Sequence, residues 1–150
     1  MHIVVLYGTE SGNSELIAQD LSDQITADGG SVEVSDLQDF EPESITAENF
    51  YIVVCSTHGD GELPNTAQDF FAKFSNFEGD LTGVRYAMFG LGDSFYEETY
   101  SQGSEHIDRR FTELGAERVG EYGRHDASSW DLPSDVALEW LPSVVSAAHA

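Results

Sequence analysis

Three near-continuous apolar runs, His2–Tyr7, Tyr51–Cys55 and Tyr86–Phe89, each empty into a stretch crowded with Gly, Ser, Thr or Asp. Runs with no polar face read as strands covered on both sides of a parallel sheet. The segments between them carry helical spacing. Ile17, Leu21 and Ile25 recur every four residues from a start near Asn13. Ala67, Phe70, Phe71 and Phe74 share one face, as do Tyr100, Ile107, Phe111 and Leu114 over roughly 99–114. Gly29-Gly30, Gly79–Gly83 and Gly115 supply the stops. Ser31–Ser35 alternates strictly, as an edge strand does, and polar residues 36–49 bridge to the third strand. Arg118–Tyr122 reads as a short fifth strand. A last helix from Pro133 would bury Val136, Trp140 and Val144, with a kink or break near Leu141 because Pro142 has no N–H. Strand and helix thus alternate over 150 residues. The pattern predicts one α/β domain, a doubly wound five-stranded parallel sheet in the order 2-1-3-4-5 with helices on both faces.

In that order the exits of strands one, three and four are neighbours, and ligands sit beyond the carboxyl ends of such strands. The first exit, Gly8-Thr9-Glu10-Ser11-Gly12-Asn13-Ser14, has no Lys or Arg. An anion here would be held by backbone amides, by the hydroxyls of Thr9, Ser11 and Ser14, and by about half a positive charge at the helix start. That suits a terminal monophosphate better than a triphosphate with magnesium. The second exit, Ser56-Thr57-His58-Gly59-Asp60-Gly61-Glu62-Leu63-Pro64, and the third, Gly90-Leu91-Gly92-Asp93-Ser94-Phe95-Tyr96, offer glycines for close backbone approach. Phe95, Tyr96, Tyr100 and His58 offer groups for stacking. A planar ring on a phosphate tether fits this set.

Other chemistries of the same architecture lack their residues. A phosphorylatable receiver needs an Asp after strand three and a Lys after strand five, but Ser56 and Thr57 follow strand three and the one lysine, Lys73, lies in a helix. Gly12 is followed by Asn13 where a P-loop requires Lys. The first turn holds fewer glycines than a dinucleotide fingerprint, at a different spacing. Histidines 2, 58, 106, 125 and 149 show no ligand spacing, so no metal site is expected. The single cysteine, Cys55, lies in an apolar run and reads as core.

Acidic residues number 28 against 6 basic ones, for a net charge of -22. Nucleic acid and anionic membranes would repel such a chain. Docking to a basic protein and solvation in a saline cytoplasm both account for the excess. With no long apolar run and no leader-like start, a cytoplasmic protein is expected.

These motifs resemble those of the flavodoxins, especially the short MioC-type proteins, and of the flavin domains of diflavin reductases. Thr9-Glu10-Ser11-Gly12-Asn13-Ser14 matches the family's phosphate loop. Ser56-Thr57-His58-Gly59 with Asp60-Gly61-Glu62 matches the loop after strand three, and Leu91 through Tyr100 the loop after strand four. The resemblance implies an FMN cofactor whose phosphate is held by Thr9 to Ser14. It implies that Ser56, Thr57, His58, Gly59, Asp60 and Gly61 lie along the ring, with Leu91, Gly92, Asp93, Ser94, Phe95, Tyr96 and Tyr100 beside them. Tyr96 would stack on one face and His58 would stand near the other, where diflavin reductases often carry an aromatic residue. Gly59 would be the peptide that turns to meet the ring, and Asp126 would be an acidic neighbour. The function implied is a monomeric electron carrier without substrate chemistry of its own. It would take electrons from a separate flavodoxin reductase and pass them singly to acceptor proteins, with a link to biotin synthesis implied by the MioC-type likeness. The carboxylates of Asp60, Glu62, Asp93, Glu97 and Glu98 would lower the potential of the second electron. The alternative is an FMN-dependent reductase of a small molecule such as a quinone.

Overall fold

The computed structural model describes residues 2–8, 13–56, 65–92, 102–120, 122–126 and 132–149. β1 (His2–Gly8) leads to α1 (Asn13–Ala27) and β2 (Ser31–Asp36). Two 3-10 turns, Leu37–Asp39 and Pro42–Ser44, then precede β3 (Asn49–Ser56). α2 (Asn65–Asn76), β4 (Arg85–Gly92), α3 (Gln102–Glu113), β5 (Glu117–Arg118), β6 (Gly123–Asp126) and α4 (Pro133–His149) complete the order. All described pairings are parallel and run β2-β1-β3-β4, with β5 and β6 both paired to β4. This is the doubly wound order expected, with the fifth position shared by two short strands.

Alternation along the strands divides the core. Ile3 and Val5 of β1, Phe50, Ile52 and Val54 of β3, and Ala87, Phe89 and Leu91 of β4 pack with α1 and α4. Their neighbours Val4, Leu6, Tyr51, Val53, Cys55, Tyr86 and Met88 face the opposite way, toward α2 and α3. Side chains of one strand thus serve two cores because successive Cβ atoms point to opposite faces. The helical stripes seat as their spacing predicts: Ile17, Leu21 and Ile25 are buried on α1, Ala67, Phe70 and Phe74 on α2, and Ile107 and Phe111 on α3. Phe71 is half-buried against the α2/α3 core. α1 stops where Gly29 takes φ +87° and the Gly30 amide reaches back to the Ile25 carbonyl at 2.9 Å.

Three elements differ from the sequence pattern. β4 does not end at Phe89: Gly90, Leu91 and Gly92 continue the ladder, opposite Cys55 and Ser56 on one side and Arg124 to Asp126 on the other. Two partner strands supply hydrogen bonds that outweigh the loop preference of glycine. Strand five does not run Arg118–Tyr122. Its ladder lapses after the Val119 amide bonds the Tyr86 carbonyl at 2.8 Å, Gly120 takes φ +76°, and pairing resumes at Gly123. α3 is described over Gln102–Glu113, and Tyr100 lies outside the described residues. α4 is one helix through Pro142, with Trp140, Leu141, Val144 and Ala148 buried on both sides of the proline. Burial on both sides holds the turn together despite the missing donor. The bridge 36–49 is likewise less polar in effect than in composition, because Leu37, Pro42 and Ile45 are buried and the Tyr51 hydroxyl accepts from the Thr46 amide at 2.8 Å.

Candidate functional site

The register aligns the carboxyl ends of four strands. Gly8 lies opposite Cys55, Ser56 opposite Leu91, and Gly92 opposite Asp126. Segments 9–12, 57–64, 93–101 and 127–131 all leave from this edge, and α1 returns to it at Asn13. The three loops singled out in the sequence are therefore on adjacent strands, joined by a fourth from β6. Thr9, Glu10, Ser11, Gly12, Thr57, His58, Gly59, Asp60, Gly61, Asp93, Ser94, Phe95, Tyr96 and Tyr100 lie outside the described residues. Asn13, Ser14, Ser56, Leu91, Gly92 and Asp126 lie on the elements that frame them.

Ser14 carries the clearest chemical signal. It occupies the first turn of α1, is fully buried, and its Oγ has no hydrogen-bond partner among the described residues. A buried hydroxyl left unpaired costs about 1–3 kcal/mol. The first amides of a helix also lack intrahelical acceptors and carry partial positive charge. A hydroxyl and a set of amides in need of acceptors at one point fit a phosphate group. Gly8 serves packing instead. A Cβ there would stand 2.8 Å from the Ala67 Cβ and 3.2 Å from Leu37 Cδ1, so its lack of a side chain lets β1 pass against the start of α2.

Leu91 reaches the edge with its backbone, while its side chain is buried in the α1/α4 core. Cys55 is buried in the opposite core, and burial pushes its thiol well above the ordinary value of 9.0. It is a neutral core residue, as its apolar run suggests.

Two residues of this edge escaped the sequence reading. Tyr7, half-buried, has its phenol pKa raised by burial first and then by the carboxylates of Asp36, Glu15 and Asp39. The edge on the β1–β2 side thus lies in a negative field. His125, 6% exposed, precedes Asp126 on β6. The signal available was alternation in Gly123-Arg124-His125-Asp126, which is too short to separate from a loop. Among the described residues no group of His, Cys, Asp and Glu is arranged to hold a metal, and no helix is long and apolar enough to cross a membrane.

Comparison with known proteins agrees with this geometry. The profile of the flavodoxin family matches residues 5–140. The chain belongs to the flavodoxin family. It is 33% identical to the "Protein MioC homolog" of Haemophilus influenzae over 148 residues, 97% of each chain. It is also 35% identical over 145 residues, 95% of this chain, to a "Pyruvate dehydrogenase [NADP(+)], mitochondrial" of Euglena gracilis, of which it spans only 8%. In three dimensions it superposes on a mutant flavodoxin from Pseudomonas aeruginosa with a TM-score of 0.85, at 31% identity and full coverage of both chains. As a flavodoxin it binds FMN and transfers electrons, and Ser14 at the head of α1 fits the phosphate of that cofactor.

Proposed function

We propose that this chain is a short-chain flavodoxin working in the cytoplasm as a carrier of single electrons from a separate reductase to acceptor proteins. Residues 1–150 act as one FMN-binding domain. The observation that supports the placement of the cofactor is the buried hydroxyl of Ser14, without a hydrogen-bond partner among the described residues, beside the first amides of α1. In this reading Thr9, Glu10, Ser11, Gly12, Asn13 and Ser14 enclose the phosphate. Ser56 to Gly61, Leu91 to Tyr96, Tyr100 and Asp126 surround the ring, with the Leu91 contribution limited to its backbone. FMN supplies the capacity to take up electrons one at a time. The chain holds the phosphate without a lysine, excludes water by its aromatic loop residues, and offers at Gly59 a peptide that turns without the hindrance of a Cβ. Its acidic surface suits basic redox partners, a flavodoxin reductase as donor among them. Resemblance to MioC-type proteins makes a biotin-forming system a candidate acceptor.

The purified protein is expected to be yellow and to show two separate one-electron steps on redox titration. A single two-electron step, or sustained reduction of a quinone by a nicotinamide cofactor with this protein alone, would contradict the carrier reading.

A further inference from the structure

At the amino edge of the sheet, opposite the edge from which the four loops leave, α1 and α4 enclose a cavity of about 570 Å³. Ile25 from the last turn of α1 and Leu138, Leu141 and Val145 from α4 form apolar walls, and Gln24, Asp28 and Ser31 supply the polar lining. A concave, mostly apolar space of this size with a few polar groups has the form of a small-molecule site.

The polar groups around it are of one kind. The amides of Asp28, Gly29 and Gly30 donate to the carbonyls of Gln24, Thr26 and Ile25 at 3.0, 3.0 and 2.9 Å, so these donors are already used. The Gln24 side-chain amide donates to both Asp28 carboxylate oxygens at 3.2 Å, and the Ser31 hydroxyl is engaged with His2 Nδ1 at 2.6 Å. Acceptors remain. β1, α1, β2 and α4 contain no lysine or arginine, so no basic side chain of these elements meets the exposed Asp28 carboxylate. The last turn of α1 has no basic residue either, which leaves the negative end of the helix uncompensated. Pro142 has no N–H, so the Leu138 carbonyl lacks the donor that an uninterrupted helix would give it, and both residues line the cavity. A carboxylate, a negative helix end and a carbonyl short of its donor, set around apolar walls, repel anions and attract a donor that carries positive charge.

We propose that this cavity binds a small organic cation, an ammonium group on an apolar or aromatic body, with the ammonium at Asp28 and the body against Leu138, Leu141 and Val145. The site goes beyond the carrier reading and does not depend on it. α1 has 15 residues and spans about 22 Å at its rise per residue, so a ligand at its end stands apart from a phosphate at Ser14. Loss of either site leaves the other measurable.

The probes are tryptamine, tryptophol and indole-3-propionate, which share one ring and end in an ammonium, a hydroxyl and a carboxylate. Each is titrated into the isotope-labelled, FMN-loaded full chain and followed by amide NMR in about 0.3 M salt, where surface charges act over only about 6 Å. Tryptamine should shift the amides of Gly29, Gly30 and Ser31 in a saturable way, with the flavin absorption spectrum unchanged. It should bind about tenfold or more tightly than indole-3-propionate, because one end is attracted and the other repelled. Asp28→Asn should weaken tryptamine about fivefold, the size of an exposed charge pair, and leave tryptophol unaltered. Val145→Trp, or Leu138→Phe if that variant folds poorly, should fill the cavity and weaken tryptamine and tryptophol together by about tenfold. Asp23→Asn removes the same charge from the same helix outside the cavity and should change tryptamine affinity by less than about twofold. No saturable shift with millimolar tryptamine, equal affinity for the three probes, shifts confined to the carboxyl edge, or equal losses from Asp28→Asn and Asp23→Asn would each overturn the assignment.

Discussion

The two helical layers solve the same packing problem with different chemistry. Beneath α2 and α3 the core is aromatic: Phe111 stacks on Tyr86 with centroids 4.4 Å apart and meets Phe74 edge-on at 4.9 Å, and Phe70 lies 5.1 Å from Phe74. That layer also carries ion pairs, and Arg110 ties α3 to the end of α2 by donating to the Phe74 carbonyl at 2.9 Å. Beneath α1 and α4 the core is mostly aliphatic, built from Ile17, Leu21, Ile25, Leu141 and Val144 around a Phe89–Trp140 contact at 5.2 Å. Its outer surface is acidic without local compensation. One layer is fastened by ring contacts and charge pairs; the other keeps its acidic surface exposed, and it is the one that begins with Ser14.

The largest expected effect tests the aromatic layer. Phe111→Ala removes the stacked and edge-on contacts together and should cost about 3–5 kcal/mol in urea unfolding. Ile17→Val in the aliphatic layer should cost about 0.5–1.5 kcal/mol. Equal losses would erase the proposed difference. Where the layers meet the split strand, Gly123→Ala places a Cβ 2.4 Å from Phe89 Cδ2 and 2.9 Å from Trp140 Nε1. Overpacking of about 1–3 kcal/mol is expected, read as a lower midpoint with an unchanged slope.

A smaller effect appears at alkaline pH. Burial, then the hydrogen bond from its hydroxyl to Asp108 Oδ1 at 2.6 Å, raises the Tyr86 pKa above its ordinary 10.0. The folded state therefore keeps a proton that the unfolded state releases. The stabilisation is complete below pH about 10 and is lost as pH rises beyond it, by at most about 1.4 kcal/mol per pH unit, with solvent near the Asp108 end reducing this further. Tyr86→Phe should make the decline shallower as pH climbs past the ordinary value of 10.0. An unchanged slope would show that the phenol is not held in this way.

The smallest effect concerns surface charge. Asp23→Lys should stabilise the fold by a few tenths of a kcal/mol at low salt, more than Glu78→Lys on the α2 side, with the difference vanishing near 1 M salt where screening acts within about 3 Å. Equal responses would mean that the two faces have the same field.

Much of this was written in local patterns. The apolar runs of β1 and β3 and the four-residue spacing on α1 fix the elements, because burial on two faces and on one stripe leave different periods. Gly90 and Gly92 misled because their strand state depends on β3 and β6, which are distant in sequence. β5 and β6 are too short to show a period, and Pro142 stays helical through tertiary burial that composition does not reveal. At the site, Ser14 was legible as a hydroxyl at a helix start, whereas the inward turn of Leu91 required the register of β4. The tie between Ser134 of α4 and Asp20 of α1 depends on the two helices meeting, which no local pattern contains.

Ser14 is where the anchoring of FMN is most directly put to the test. Titration of FMN into apoprotein, followed by flavin fluorescence, compares wild type with Ser14→Ala. Loss of a hydroxyl aimed at a charged phosphate should weaken binding by about 1.5–3 kcal/mol, roughly 10- to 150-fold, with the redox potentials of the saturated protein little changed. Unaltered FMN affinity, or a displaced potential at unaltered affinity, would contradict a phosphate anchored at the head of α1.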